Sequence, residues 1–298
     1  MMELIEIEEL LNENLGRIEE IGKRSGPFIA FDEFATTCLN YINSTFQGNI
    51  AQLIDIEKGI ESKLDQDVRL LYIQSLIYKL YLENINNMQG QDLPSDVKAY
   101  AEQDFSRILD YAVKGKKQML TFNEYQLISY LQTICFKRFP VGNHNLSVSG
   151  IPRALLFKQS FKRAVKLVQL LVQMRGNHPL FELHYNPHRF RKFNKDGWQE
   201  VFHLSSKMLI KRPGIKGVFG ATWFYDPVIK EISPELYYIR EMIEEIGGEF
   251  FIVGSSDEDK KNAFTMSNVR KTAYDEGRYL PTSYMVIFPR SVLIRHFS

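Results

Sequence analysis

Cysteine is scarce in this chain, and long apolar runs are missing. The 298 residues include only Cys38 and Cys135, each inside an apolar, helix-like segment. A disulfide framework or a cysteine-based zinc site is therefore not expected, and both thiols are predicted to be buried and reduced. No apolar run approaches the length that crosses a bilayer, and the acidic first residues differ from a secretory signal. These absences predict a cytoplasmic protein with no membrane partner.

Acidic side chains are absent from residues 126–181, although this stretch carries eight lysines and arginines. Residues 126–219 together hold 16 basic and three acidic side chains, a net charge of +13. The first 125 residues have a net charge of −9 and the last 79 a net charge of −3, so the overall charge is only +1. A middle segment this positive indicates an anionic partner or an intramolecular acidic partner.

Residues 1–139 show helical periods and almost no strand pattern, which predicts an all-helical N-terminal domain. Ser25-Gly26-Pro27 ends the first segment, and Thr121 with Glu124 forms a capping-box pattern before the last. The predicted helices cover residues 2–23, 28–46, 50–64, 68–85, 94–113 and about 121–139, with a polar loop at 86–93.

Residues 140–298 alternate between helix and strand patterns, which predicts an α/β domain with a mainly parallel sheet flanked by helices. An α+β arrangement is the alternative. Helices are predicted at 153–175, 198–211, 234–246 and 267–276, with a solvated loop at 255–261. Strands are predicted at 145–149, 180–185, 218–225, 250–253 and 283–288.

A carboxylate and an imidazole are predicted to be neighbours on the strand at 180–185. Because side chains alternate along a strand, Glu182 and His184 face the same side. A carboxylate beside an imidazole orients it and raises its basicity, as a general base requires near neutral pH. A structural hydrogen bond or a surface ion pair is the alternative interpretation.

Five of the six histidines lie between residues 144 and 203, which raises the question of a metal. His184, His188 and Glu182 would supply two imidazoles and one carboxylate, a ligand set suited to iron or zinc. Pro187 makes a helix between the two histidines improbable, so the spacing does not favour a metal. A metal-dependent oxygenase or hydrolase stays open as an alternative.

The loop at residues 188–197 combines cations with the start of a helix. Backbone donors at a helix N-terminus together with several cations favour a phosphate group, and Phe190 and Phe193 could instead stack on bases. A solvated loop is the alternative. The residues predicted to bind a phosphate-bearing ligand are His188, Arg189, Arg191, Lys192, Asn194, Lys195 and Gly197.

Two further groups of polar residues are candidates for chemistry. Tyr225 and Asp226 end the predicted strand at 218–225 and would supply an acid and an anchor in a pocket, or a core ring and a turn residue. Near the C-terminus, tyrosines and cations gather around Gly277, where a tyrosine could donate a proton to a leaving group.

The order strand, loop, helix, strand, helix, strand over residues 180–253 resembles the catalytic half of GNAT-type N-acyltransferases. In that family the loop after the first of these strands holds the pyrophosphate of coenzyme A, which implies this role for residues 188–197. Residues 268–279 resemble the late helix of the family, with Tyr274 in place of its acid tyrosine. The loop has the single glycine Gly197 where the family has an Arg/Gln-x-x-Gly-x-Gly signature.

We therefore expect a group-transfer enzyme, with N-acyltransferase as the specific candidate, that binds acyl-CoA or another phosphate-bearing molecule in a basic cleft. His184 is the expected base and Glu182 its orienting group. The alternative from another class is a nucleic-acid or protein interaction module that uses a basic stripe of Lys158, Lys162 and Lys166, spaced four residues apart on the outer face of a helix.

Overall fold

The computed structural model describes residues 4–25, 30–43, 55, 58, 66–116, 125–265 and 267–297. The chain divides into two compact units, Met1–Pro140 and Val141–Ser298. No helix among the described residues is long and apolar enough to cross a membrane.

The first unit is mainly helical over its described residues, although its last three residues, from Arg138, begin a strand. Its core centres on the third helix, in which Tyr72, Leu76, Ile77 and Leu80 are almost fully buried. The prediction of a polar loop at 86–93 is wrong over residues 86–90, because the third helix continues to Gly90. The helix predicted at 50–64 and the cap at 121–124 lie outside the described residues, apart from Asp55 and Lys58. The helices are α1 Leu4–Ser25, α2 Phe31–Asn43, α3 Gln66–Gly90, α4 Ser95–Val113 and α5 Tyr125–Ile134.

The second unit contains most of a six-stranded sheet of order β1-β2-β3-β4-β6-β5. The predicted mixed α/β class is confirmed, but the prediction of a mainly parallel sheet is wrong. Strand β3 runs parallel to β4, whereas the β2–β3, β4–β6 and β5–β6 pairs are antiparallel. The strands are β1 Arg138–Val141, β2 His144–Ser149, β3 Leu180–Tyr185, β4 Gly217–Thr222, β5 Glu249–Gly254 and β6 Ser283–Pro289.

Helices in the second unit follow the predicted order with several differences in extent. The helix predicted at 153–175 is a 3-10 helix, Arg153–Lys158, followed by a separate α-helix, because Gln159 adopts an extended backbone. The solvated loop predicted at 255–261 is mostly helical, with Ser256 bonded to Asp259 at its start. The α-helices are α6 Phe161–Gln173, α7 Lys195–Lys211, α8 Ile229–Ile232, α9 Pro234–Ile246, α10 Asp257–Thr265, α11 Asn268–Asp275 and α12 Arg290–Phe297.

One face of the sheet packs against the 3-10 helix and α6. Leu155, Leu167 and Leu170 from these helices join one apolar cluster with Leu180 and Phe219 of the sheet. Because side chains alternate along β3, Glu182 and His184 lie on this same face, further along the strand. The packing therefore covers the beginning of β3 and leaves the polar residues at its end half-exposed.

The outer edge of β5 is covered by side chains from the segment before α6. The amide nitrogen of Gln159 donates to the Ile252 carbonyl at 2.7 Å, and its amide oxygen accepts from the Ile252 N–H at 3.1 Å. Lys158 donates to the Val253 carbonyl at 2.6 Å. Backbone groups of this edge strand are thus satisfied without a neighbouring strand.

Candidate active site

The pairing of β3 with β4 ends before the carboxyl ends of the two strands. Strand β3 pairs with β2 over six residues, and β4 pairs with β6 over six. Between β3 and β4, both fully described, the register holds only at Phe181 with Val218 and at Glu182 with Phe219. The last three residues of each strand therefore do not pair with the other strand, and ligands of open α/β sheets bind at such carboxyl ends.

A polar cluster on β2 and β3 lies beside the point where the pairing of β3 with β4 ends. As predicted from strand alternation, Glu182 and His184 face the same side, and Glu182 Oε2 lies 3.9 Å from His184 Nε2. The Ser147 hydroxyl of β2 lies 2.7 Å from the same nitrogen. The side chains of His184 and Glu182 are 29% and 34% exposed, so both are accessible at the surface of the sheet.

Ser147 was missed by sequence reasoning. It enters the cluster through the β2–β3 register, in which Ser147 pairs with Glu182 and Asn145 with His184. Its sequence distance of 37 residues from His184 gives no local signal, since the contact depends on which strands pair. Alignment of β2 with β3 in the correct antiparallel register would have identified Ser147 as a neighbour of His184.

The cluster can support general-base chemistry at the imidazole. A hydroxyl can either donate or accept, so Ser147 can hold the His184 ring in place in either tautomer. A separation of 3.9 Å is too long for a hydrogen bond, so Glu182 acts on the ring through its charge.

The alternative of a metal site receives no support from the geometry. Among the described residues, no group of three or more histidine, cysteine, aspartate or glutamate side chains could hold a metal ion. His188 lies on a 3-10 helix, Pro187–Lys192, that begins after β3 has ended. Its backbone N–H donates to the Asn186 side chain at 3.1 Å.

The basic loop after β3 folds closely onto the start of α7. The Asn194 side chain caps this helix by accepting from the Gly197 N–H at 2.9 Å. A Cβ atom added at Gly197 would lie only 1.8 Å from the Lys192 carbonyl oxygen. Asn194 and Gly197 therefore shape the turn at the helix N-terminus.

Some cations of this loop also contact the protein itself. Lys192 Nζ lies 3.0 Å from Glu200 Oε2, and Arg189 donates to the Gly142 carbonyl at 3.2 Å. Lys195 is exposed in the first turn of α7. Arg191 belongs to the 3-10 helix, and its side chain lies outside the described residues. The loop thus gathers positive charge at a helix N-terminus, as predicted, while two of its cations also have partners in the chain.

An aromatic cluster packs against the loop and the start of α7. Trp198, which is fully buried, packs 5.8 Å from Phe193 and 5.9 Å from Phe224 between ring centroids. Its ring also lies 4.5 Å from that of His144, which is buried and bonded to Asn143. Burial lowers the pKa of His144 to about 3, so this histidine stays neutral.

Tyr225 and Asp226 occupy enclosed positions after β4. Tyr225 is 2% exposed between Trp198 and Phe250, and burial raises the pKa of its hydroxyl. Asp226 is also buried and accepts from the Val228 N–H at 3.0 Å, which is a turn-type bond. Burial raises the pKa of the Asp226 carboxyl, although backbone hydrogen bonds and Arg240 oppose this.

The tyrosines near Gly277 differ in their surroundings. Tyr274 on α11 is half-buried, with its ring 5.1 Å from that of Phe264. Tyr279 is 3% exposed, and its hydroxyl has no hydrogen-bond partner among the described residues. Burial, with the charge of Asp226, raises the pKa of Tyr279. In the described part of the chain, His184 lies with Glu182 and Ser147, whereas Tyr274 lies with Phe264.

A cavity of about 710 Å³ lies at a different place, along the outer edge of β5. Its charged lining is mixed, with Arg163 and Arg240 near Glu244 and Glu249. Arg240 lies 3.0 Å from Glu244, and Arg163 lies 3.4 Å from Glu249. Both arginines that line the cavity therefore have acidic partners in the chain.

Comparison with known proteins identifies similar folds. No protein-family model matches the chain, and no curated protein matches its sequence. Two solved structures are similar to it: an acyltransferase in complex with decanoyl-CoA and teicoplanin, and an acyltransferase in complex with CoA and 10C-teicoplanin. Each has a TM-score of 0.52 and 9% sequence identity, and the match covers 87% of this chain and 76% of that chain.

At this identity the likeness shows a shared fold. The resemblance to acyltransferases that the sequence predicted is confirmed at the level of fold. The molecules bound in these two structures are CoA, decanoyl-CoA, teicoplanin and 10C-teicoplanin.

Proposed function

We propose that this chain is an acyltransferase of the GNAT type that takes its acyl group from an acyl-CoA thioester. The observation that carries the proposal is the end of pairing between β3 and β4, directly beside the cluster of His184, Ser147 and Glu182. The shared fold with two acyltransferases supports it.

The residues at the carboxyl ends of β3 and β4 fit a thioester with a long polar arm. In the proposal, the amides of pantetheine hydrogen-bond to backbone groups at the carboxyl ends of β3 and β4, beyond the last paired residues Glu182 and Phe219. The loop after β3 offers phosphate groups the start of α7 and the charges of Arg189, Arg191, Lys192 and Lys195. His188, Asn194 and Gly197 shape that loop.

His184 is the proposed general base. In acyl transfer, an amine or hydroxyl of the acceptor bonds to the acyl carbon, the carbon–sulfur bond breaks, and the acceptor loses a proton. His184 takes this proton, while Ser147 holds the ring and the charge of Glu182 stabilises the imidazolium. Coenzyme A supplies the activated thioester and leaves as the thiol.

The remaining predicted residues have secondary roles in the proposal. Tyr274 is kept as the candidate proton donor to the leaving thiolate, because the family resemblance implies it. Tyr225 packs in the core and Asp226 forms the turn after β4, and the burial of both side chains favours a structural role.

Binding and turnover test the proposal together. We expect calorimetric titration of the full chain to show binding of CoA and of decanoyl-CoA, and to show weaker binding as salt concentration rises. We expect Arg189→Ala with Lys195→Ala to lower CoA affinity by roughly tenfold, since each removes one charge near the phosphates. Lys271→Ala, an exposed residue of α11, is the matched control.

The outcome against the proposal is equally specific. If neither CoA nor acyl-CoA thioesters of short and long chains bind, and no free thiol is released with amine or hydroxyl acceptors, the chain is not an acyl-CoA-dependent transferase. CoA binding that the charge variants and the control reduce equally would remove the loop from the site.

A further inference from the structure

An unusual apolar surface lies on the outside of α6. We name as the apolar ridge the exposed residues Phe157, Phe161, Val165, Val168 and Val172. The two phenylalanines are each 86% exposed and Val172 is 71% exposed, whereas the two other valines are a little over 40% exposed. On the helix, spacings of four, three and four residues place the last four members along one narrow face.

The ridge lies opposite the face that α6 buries in the sheet. Leu167, Leu170 and Met174 are buried against the sheet and lie on the other side of the helix. The sequence predicted that a stripe of lysines would form the outer face. Instead, Lys158 donates to Val253 and Lys166 lies 3.1 Å from Glu249, and the outermost positions are apolar.

Such a surface needs a partner. Soluble proteins rarely expose a contiguous group of large apolar side chains, and those that do generally bind a protein or a lipid with it. Transfer of one largely exposed phenylalanine side chain out of water is favourable by about 2 kcal/mol. A ridge with two such rings in contact with water is therefore unfavourable.

The charges around the ridge are all of one sign along the chain. Residues 126–181 contain no aspartate or glutamate, and Lys158, Lys162 and Lys166 each directly follow a ridge residue in sequence. Of these three, Lys166 lies 3.1 Å from Glu249 of β5. A second copy of this chain would bring the same cations against one another in a two-fold contact. An anionic partner is therefore favoured over self-association.

The shape of the ridge distinguishes between the two remaining kinds of partner, an acidic protein and a lipid surface. The ridge consists of Phe157 on the 3-10 helix and of Phe161 and the three valines on the outer side of α6. A helix surface of this kind is convex, and a protein partner would need a complementary groove. A lipid surface adapts to a convex helix, and lysines beside the apolar face can extend to the headgroups while their methylenes stay in the apolar layer. These features favour lipid over an acidic protein.

We propose that the apolar ridge binds the surface of a bilayer that contains anionic lipid. The chain then lies on the membrane with α6 parallel to it, the phenylalanines in the acyl boundary and the lysines at the phosphates. The sequence predicted no membrane partner because no segment could span a bilayer, and surface binding is compatible with that reason. The inference does not depend on the acyltransferase proposal.

Co-sedimentation of the full chain with vesicles tests the inference. We expect binding to phosphatidylcholine vesicles that contain phosphatidylglycerol, weaker binding at high salt, and little binding to pure phosphatidylcholine. Phe157→Ser with Phe161→Ser should lower the partition coefficient by roughly tenfold or more, since the two rings that enter the acyl boundary of the bilayer are lost. Ile210→Ser with Val269→Ser is the matched control, because both residues are more than half exposed elsewhere on the unit.

Thermal unfolding of both double variants confirms that they fold, since all four side chains are exposed. Absence of binding to both kinds of vesicle overturns the inference, as does equal binding by the ridge variant and the wild type. A dimer of the wild type that becomes a monomer only in the ridge variant would show that a second copy covers the ridge, and this also overturns it.

Discussion

Strand β3 pairs along its whole length with β2, but over only two residue pairs with β4. The antiparallel side satisfies the backbone of the strand and gives stability. On the parallel side, the pairing ends before the last three residues of the strand. In our proposal, the paired side of β3 stabilises the sheet and the end of its other side contributes to the acyl-CoA site.

Two histidines show the same contrast at the level of side chains. His144 of β2 points into the aromatic cluster, is 3% exposed and stays neutral because burial lowers its pKa to about 3. His184 of β3 faces the opposite side of the sheet, half-exposed, next to Ser147 and Glu182. The fold therefore uses identical rings for packing and, as we propose, for proton transfer.

The largest effect is expected from the imidazole on the open side of β3. His184→Ala should lower kcat/KM for acyl transfer by roughly 10²–10⁴-fold, the usual contribution of a positioned general base. Acyl-CoA affinity and thermal stability should stay as in the wild type, because the side chain is half-exposed. His296→Ala, on the C-terminal helix, is the control, and full activity in His184→Ala would remove the base assignment.

Two glycines of β4 sharpen the comparison through stability. A Cβ atom at Gly217 would lie 2.3 Å from the Phe288 carbonyl oxygen, a backbone atom of the fully paired β6. At Gly220 it would lie 3.1 Å from Leu183 Cβ, where β3 and β4 no longer pair. We expect Gly217→Ala to reduce the free energy of unfolding by about 3 kcal/mol and Gly220→Ala by about 1 kcal/mol.

Urea denaturation measures both changes directly. Equal losses in the two variants would mean that the carboxyl end of β4 is packed as rigidly as its beginning, contrary to the proposed opening for a ligand.

A smaller effect is expected at the residue that sequence reasoning missed. Ser147→Ala removes the hydroxyl 2.7 Å from His184 Nε2 and should lower kcat by about tenfold, since ring orientation is lost while the base remains. Ser149→Ala, on the same strand and paired with Leu180, should leave kcat unchanged. The comparison fails if both serine variants behave alike.

The most gradual effect, spread over several pH units, concerns His144 on the closed side. Its pKa is lowered from 6.5 to about 3 in the folded chain, so between these values the unfolded chain binds a proton that the folded chain does not. Its contribution to the free energy of unfolding is thus complete above pH 6.5 and falls by about 1.4 kcal/mol per pH unit as the pH drops toward 3.

His144→Gln should remove this part of the slope when the free energy of unfolding is measured against pH. Ser147→Ala retains His144 and should keep the wild-type slope. Identical slopes in wild type and His144→Gln would show that the ring is protonated in the folded chain.

Local patterns predicted much of the fold. Ser233-Pro234-Glu235 marked the start of α9, and Gly247, which has a φ of 96°, marked its end. Alternation along residues 180–185 placed Glu182 and His184 together correctly. These predictions held because caps, turns and strand alternation depend on neighbours in the sequence.

Strand direction and several contacts could not be predicted in this way. Strand β6 enters between β4 and β5 and runs opposite to both, which an alternation of helices and strands does not reveal. The outward face of α6 was misjudged, because apolar spacing indicates a helix face without showing what covers it. The partner of His184 was missed because pairing of β2 with β3 joins residues far apart in sequence.

The amide of Gln159 on the Ile252 backbone has a consequence for how the chain behaves at high concentration. A bare border strand can recruit a strand from another molecule, which is how fibrous aggregates begin to grow. Here the donor and the acceptor of Ile252 are both occupied by one side chain of the same molecule. Fibril growth from that border therefore first requires this amide to detach.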